Sequence, residues 1–274
     1  MTAVYLVGAG PGDPSLITVR GLRCLERADV VVYDHLVHPR LLSMAPADAE
    51  RIDVGAAAPQ PGEQDAICLL VSEKAREGKV VVRLKWGDPF FFDSGGKEAI
   101  FLHEQGIAFE VVPGLPAGIA VPSYAGVPVT YPGAGESVTF VKGFEDGSQT
   151  PAKIDWMALA HLGGTVVCYA EARQVPAILQ SMIEGGCPET DPAALVQDGS
   201  LPSQRTITGT LGELAQRVAG EARRGSSIVI IGIQSGALSL RSEGASVWNS
   251  PGSRAMRRSY RARWNTPRSR SIPF

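Results

Sequence analysis

The sequence predicts an α/β fold made of two units, and three observations carry that reading. Runs of β-branched residues recur through the first 112 positions, each followed by a segment with apolar residues at three- and four-residue spacing. A glycine-rich loop follows the first run directly, and a stretch dense in Pro and Gly separates this alternation from a second one.

Taken in order, Val4 to Val7, Val30 to Tyr33, Val80 to Leu84 and Phe109 to Val112 read as strands. Leu16 to Ala28, Gln64 to Glu77 and Gly96 to Gln105 read as the helices between them. Such alternation predicts a mostly parallel sheet covered on both faces. Pro113 to Pro122 follows as a candidate hinge and cleft wall. Beyond it, Ser137 to Lys142, Thr165 to Tyr169, Ala193 to Val196 and Ser227 to Gly232 read as strands, with helices over Val175 to Glu184 and Leu211 to Arg223. The expected domains are therefore 1–114 and 115–240, with 241–274 as a tail.

The tail holds eight arginines and one acid, a balance of +7 against −2 for the whole chain, so residues 1–240 carry −9. Rich in Ser, Pro and Gly and without apolar period, it reads as disordered. An acidic body argues against nucleic acid as a partner of the folded part. No export signal opens the sequence and no apolar run approaches the roughly 18 residues of a membrane helix. A cytoplasmic protein with no membrane partner is expected. Cys24, Cys68, Cys168 and Cys187 form no close pair and read as buried free thiols, and the four histidines lack a ligand pattern, so no metal is expected.

The loop Val7-Gly8-Ala9-Gly10-Pro11-Gly12-Asp13-Pro14 lies where glycines let backbone approach a ligand. A dinucleotide fingerprint needs glycine at the position of Asp13, and Pro11 and Pro14 remove two amide donors, so a pyrophosphate cradle is poorly made.

With this loop, Leu-Ile-Thr-Val-Arg-Gly (16–21), Ala-Asp-Val-Val-Val-Tyr-Asp-His-Leu-Val (28–37), Val-Val-Arg-Leu-Lys-Trp-Gly-Asp-Pro-Phe (81–90), Phe-Glu-Val-Val-Pro-Gly (109–114), Tyr-Ala-Gly-Val-Pro-Val-Thr (124–130) and Gln-Arg-Thr-Ile-Thr-Gly-Thr-Leu (204–211) together resemble the uroporphyrinogen-III C-methyltransferases. The resemblance runs over residues 3 to 240. It implies the two-domain tetrapyrrole methylase fold, a homodimer, and an S-adenosyl-L-methionine site in the interdomain cleft, yielding S-adenosyl-L-homocysteine. Carried over by position, the donor site takes in Gly10, Pro11, Trp86, Gly87, Asp88, Phe91, Pro116, Ala117, Tyr169, Ala170, Gln197 and Gly199. Asp34 matches the family's proton acceptor and is the first choice of base, with His35 and Tyr131 as second choices; a helix cap is the alternative role for Asp34.

The chain departs from the family pattern where it has Ala56-Ala57, Ser94, Lys97, Tyr131-Pro132, Trp86, Pro116-Ala117 and Ala170. Several of these changes remove basic groups that a substrate with eight carboxylates would use. Trp86, Phe91, Phe92 and Tyr131 line the site instead, with Phe90 expected in the core. The residues thus favour methylation of a smaller, less acidic small molecule, aromatic ones included, with Glu171 and Lys97 as candidate contacts. A uroporphyrinogen-III or precorrin C-methyltransferase is the alternative, and a non-catalytic S-adenosylmethionine-binding protein the second.

Overall fold

The computed structural model describes residues 4–55, 63–132, 136–143, 153–219 and 225–232. The Ala56-Ala57 pair and the tail lie outside them.

The first unit is a five-stranded sheet in which every pairing is parallel. Its strands are β1 (Val4–Gly8), β2 (Val30–Tyr33), β3 (Glu50–Asp53), β4 (Val81–Lys85) and β5 (Phe109–Val112), in the order β3-β2-β4-β1-β5. Helix α1 (Val19–Leu25) and the short α2 (Pro39–Leu42) pack on one face with Val7, Val31, Val82 and Leu84; α3 (Glu63–Arg76) and α4 (Gly95–Glu104) pack on the other with Val4, Leu6, Val30 and Val81. Connections leave β1 toward one edge and β4 toward the other, so the two central strands mark the point where the winding reverses. The loops at their carboxyl ends lie where open α/β sheets usually bind a ligand, in the crevice outside the strand ends.

Helix α5 (Ala117–Tyr124) comes next, followed by β6 (Val138–Lys142), α6 (Trp156–His161), β7 (Thr165–Glu171), α7 (Val175–Glu184), β8 (Pro192–Gln197), β9 (Arg205–Thr210), α8 (Leu211–Val218) and β10 (Ser226–Ile231). The second sheet runs β6-β7-β10-β8-β9. Unlike the first it is mixed: β6 and β7 are parallel, while β10 is antiparallel to both its neighbours and β8–β9 form an antiparallel pair. Helices α6, α7 and α8 close one face around Ile178, Leu179, Met182, Leu195 and Leu214. The start of α8 is fixed by a capping box, in which Thr210 and Glu213 exchange side-chain and backbone hydrogen bonds.

The segment expected as a hinge is in its second half the helix α5, whose Ala117 and Val121, with Ala125 at its C-cap, cover the other face of the second sheet against Val167, Val196 and Ile230. The predicted helix over 16–28 is also shorter, because Asp13 caps a 3-10 turn at Pro14–Leu16 and Thr18 then caps α1. All four cysteines are buried free thiols. No described helix is long and apolar enough to cross a membrane.

Candidate functional site

Three loops meet at the crevice. After β1, the backbone of Gly10 pairs with that of Gly87, the two exchanging N–H to carbonyl hydrogen bonds of 3.1 and 2.9 Å. The loop after β5 presses in from the other side. A methyl group on Gly114 would stand 2.1 Å from the Gly87 carbonyl oxygen and 2.7 Å from the Gly8 Cα. Only residues without side chains allow main chain this close, and the outcome is a surface of backbone groups that a flat or extended ligand can approach.

Asp88 ties these loops together rather than standing free. Its Oδ1 accepts the N–H of Phe90 and its Oδ2 that of Gly114, both at 2.9 Å. Next to it an aromatic cluster links the units: Phe91 lies 5.4 Å from Phe140 and 5.9 Å from Tyr169 between ring centroids, and Phe92 lies 5.1 Å from Tyr169. The Tyr169 hydroxyl accepts the N–H of Gly118 in α5 at 2.6 Å. Burial pushes this phenol up to about 12, so it stays neutral at physiological pH. Phe92 holds a left-handed backbone with φ of 54°, as do Asp198 and Ser200 at 49° and 66° on the opposing loop after β8. Non-glycine residues held this way cluster at ligand sites.

That opposing loop reaches the glycine loop directly. Asp13 N–H donates to Ser200 Oγ at 3.3 Å, and the Tyr124 hydroxyl donates to Asp13 Oδ2 at 3.1 Å. Gln204 braces it, accepting the N–H of Ser200 and donating to the carbonyl of Tyr124.

Asp34 at the end of β2 is 1% exposed. Arg83 Nη2 donates to its Oδ1 and the N–H of Trp86 to its Oδ2, the latter at 2.9 Å. Asp34 caps no helix; the cap of α2 is His38, whose Nδ1 accepts from the N–H of Arg40. Arg83 and Lys85 project from the central strand β4 toward α4, where Glu98 Oε1 accepts from Arg83 Nε at 3.3 Å and from Lys85 Nζ at 2.8 Å. Lys85 Nζ also pairs with Asp93 at 2.8 Å and donates to Ser94 Oγ at 3.0 Å. Although burial works against ionisation of Glu98, Arg83 and Lys85 outweigh it and hold this carboxyl below its ordinary range. Asp93 comes out the other way. Burial, offset only in part by Lys85 and reinforced by the charge of Asp34, pushes it up to about 6.

A carboxyl that holds its proton more tightly when folded contributes stability that is present at low pH and lost as pH rises through its folded value. With the folded value near 6, lowering the pH from 7 to 5 should strengthen the fold by about 1 kcal/mol, and Asp93→Asn should flatten that dependence. Urea denaturation of both proteins at the two pH values measures it.

The donor residues expected from sequence fall around this crevice to different degrees. Gly10, Pro11, Trp86, Gly87, Asp88 and Phe91 gather at the loops after β1 and β4, where Trp86 Nε1 donates to the Pro11 carbonyl at 3.2 Å. Pro116 and Ala117 open α5, and Gln197 and Gly199 belong to the opposing loop, Gly199 packing tightly on Val121. Tyr169 faces the aromatic cluster, but Ala170, one residue on, turns its side chain into the core beneath α7. His35 is exposed and pairs with Asp53 at 3.0 Å. Tyr131 is half-exposed, with no hydrogen bond to Asp34 among the described contacts. Phe90, expected in the core, is 56% exposed because the turn of Asp88 points it outward, whereas Phe91 takes the interior position. Glu171 pairs with Arg173 on the surface, and Lys97 is exposed on α4. Sequence reasoning missed Arg83, Lys85, Glu98, Asp93 and Ser200. Two basic residues inside a β-branched run were the available signal.

Known proteins resemble this chain over most of its length. The family model for Tetrapyrrole (Corrin/Porphyrin) Methylases matches residues 3–215. The uroporphyrinogen-III C-methyltransferase of Priestia megaterium is 43% identical over 233 residues, covering 85% of this chain and 98% of that protein. The siroheme synthase of Thiobacillus denitrificans is 43% identical over 230 residues, which are 84% of this chain and 48% of that protein, so the chain spans about half the length of the siroheme synthases it matches. The uroporphyrin-III C-methyltransferase of Thermus thermophilus, solved with S-adenyl homocysteine, superposes with a TM-score of 0.71 at 33% identity, covering 86% of this chain and 99% of that one.

Proposed function

The chain belongs to the tetrapyrrole (corrin/porphyrin) methylase family, and from that premise we propose that it is a C-methyltransferase of uroporphyrinogen III. The donor is S-adenosyl-L-methionine, which supplies an electrophilic methyl group when bound. The observation that carries the substrate is the 43% identity to a uroporphyrinogen-III C-methyltransferase across nearly the whole of both chains. It outweighs the smaller, less acidic acceptor that the missing basic residues favour. Part of that charge argument also weakens on geometry: the half-buried Ser94 turns its hydroxyl toward Lys85 and Asp93.

The crevice suits the donor. Gly8, Gly87 and Gly114 bring backbone close to its extended ends, Asp88 holds their loops in register, and Phe91, Trp86 and Tyr169 offer the aromatic wall that a sulfonium prefers. Pro116, Ala117, Gln197, Gly199 and the main chain of Tyr169-Ala170 complete it from the second unit, with Gly10 and Pro11 facing them. The domain limits 1–114 and 115–240, pairing as a homodimer and a cytoplasmic setting belong to the same reading.

Asp34 is the proton acceptor. A carboxylate with each oxygen taking one hydrogen bond keeps lone pairs free, and Arg83 fixes its orientation. The methyl-accepting ring carbon carries a side chain and no hydrogen, so as its new carbon–carbon bond forms and S-adenosyl-L-homocysteine leaves, the tetrapyrrole gives up a proton from a neighbouring position and Asp34 takes it. His35, drawn out to solvent by Asp53, and Tyr131 are set aside. Asp34→Asn should bind S-adenosyl-L-homocysteine like the parent in calorimetry and turn over about a hundredfold more slowly. Incubating the full chain with uroporphyrinogen III and S-adenosyl-L-methionine under reducing conditions should give methylated product by mass spectrometry. A protein that binds the donor yet leaves this substrate unchanged returns the case to the smaller acceptor.

A further inference from the structure

The charges under β4 form one continuous chain of contacts. It runs from Asp34 through Arg83 to Glu98, then through Lys85 to Asp93, with no member more than 7% exposed. Two cations face three carboxylates. We propose that Asp93 is a positioning residue for the methyl transfer, acting through Lys85, Glu98 and Arg83 on the carboxylate of Asp34. This rests on the reading of Asp34 as proton acceptor.

The geometry explains how. Lys85 Nζ lies 2.8 Å from both Asp93 and Glu98, so each carboxylate it holds loosens its grip on the other. Glu98 is pinned on one oxygen only; its Oε1 takes Gln64, Ser94, Arg83 and Lys85 while its Oε2 is buried without a partner. A change of charge on Asp93 is therefore passed to Glu98 and on to Arg83 with little freedom to dissipate it, water being excluded from the chain. The groups that face Asp93 and this chain are Lys85 and Arg83 from β4, Ser94 and Glu98 from α4, Asp34 from the end of β2, and Gln64 and Cys68 from α3. With Asp93 protonated the set is neutral. With Asp93 ionised it carries one negative charge, which repels Asp34 and favours moving the substrate's proton onto it. That repulsion is mutual, and it contributes to pushing Asp93 up to about 6.

The test is the pH dependence of kcat/KM for the tetrapyrrole. The parent should gain activity through a step near pH 6. Asp93→Asn should lose the step and run about threefold to tenfold slower at pH 8, with donor affinity unchanged. Asp93→Glu should restore the step, which a purely structural role for Asp93 does not require. An Asp93→Asn enzyme that keeps the parent's step overturns the proposal. A second measurement needs no activity: the carboxyl carbon of Asp93, followed by NMR in the parent, should titrate near 6 and move to lower pH in Asp34→Asn. Titration unmoved by that change overturns the coupling. Full turnover in Asp34→Asn overturns the proton acceptor and this inference together, whereas a slow Asp34→Asn beside an unchanged Asp93→Asn profile removes only the coupling.

Discussion

Gly114→Ala should fold poorly and lose S-adenosyl-L-methionine binding altogether, with a stability cost of about 3 kcal/mol or more. The added carbon would sit 2.1 Å from the Gly87 carbonyl oxygen, 2.7 Å from the Gly8 Cα and 2.8 Å from the Gly8 carbonyl carbon. All three are main-chain atoms, of the end of β1 and of the turn after β4, so no side chain can swing aside. Relief requires the β5 loop to withdraw, and withdrawal breaks the hydrogen bond from Gly114 N–H to Asp88 that holds the turn after β4. The crevice then opens as a unit. Gly78→Ala is the control: its φ of +78° strains a side chain, but nothing lies within 4 Å of the added carbon. It should cost only about 1–2 kcal/mol and leave the donor site alone. Calorimetry with S-adenosyl-L-homocysteine and thermal melts on both variants separate the two effects, and a Gly114→Ala protein that binds normally would show that the three loops do not need their present spacing.

The same crevice shows what local sequence can and cannot carry. The glycine loop and the Gly-Asp-Pro turn are short-range signals, and the structure brings Gly10 and Gly87 together. Strand β3, Glu-Arg-Ile-Asp, carries no β-branched run to announce it, being a charged edge strand with polar side chains facing solvent. Helix α5 was hidden by its prolines and glycines, and its reason to be helical is the apolar face it lays on the second sheet, a contact far away in sequence. Strand β9 was seen only as a motif. Its antiparallel pairing with β8 depends on partners that its own residues do not announce. Asp34 was singled out by position, yet its surroundings were not legible, because Val-Val-Arg-Leu-Lys alternates as a half-exposed strand does. In fact β4 is buried along its whole length, and the partner that makes this tolerable, Glu98, comes from a helix 13 residues beyond Lys85. The charge argument about the substrate has a related weakness: counting lost charges says nothing about which of them ever faced outward.

That buried strand supports the other large prediction. Arg83→Met should destabilise the protein by about 3–5 kcal/mol at pH 7 and slow turnover at least as much as Asp34→Asn. Arg83 is 2% exposed and is the contact that Asp34 and Glu98 share. Without it Lys85 alone opposes three carboxylates, and Asp34 keeps only the N–H of Trp86. Burial of the bare pair is what costs, since a methionine fills the same volume without replacing the charge. Two consequences distinguish this cause from simple loss of packing. Because the orphaned carboxylates can take up protons, the penalty should shrink at pH 5, where a packing defect would stay constant. Adding Glu98→Gln should recover part of the loss at pH 7, so the double variant is more stable than Arg83→Met alone, while methyl transfer stays slow because Asp34 is still unanchored. Urea denaturation at both pH values, set beside single-turnover rates, reads these outcomes together, and a penalty that is flat with pH and additive with Glu98→Gln would assign Arg83 to packing instead of to the carboxylate it holds.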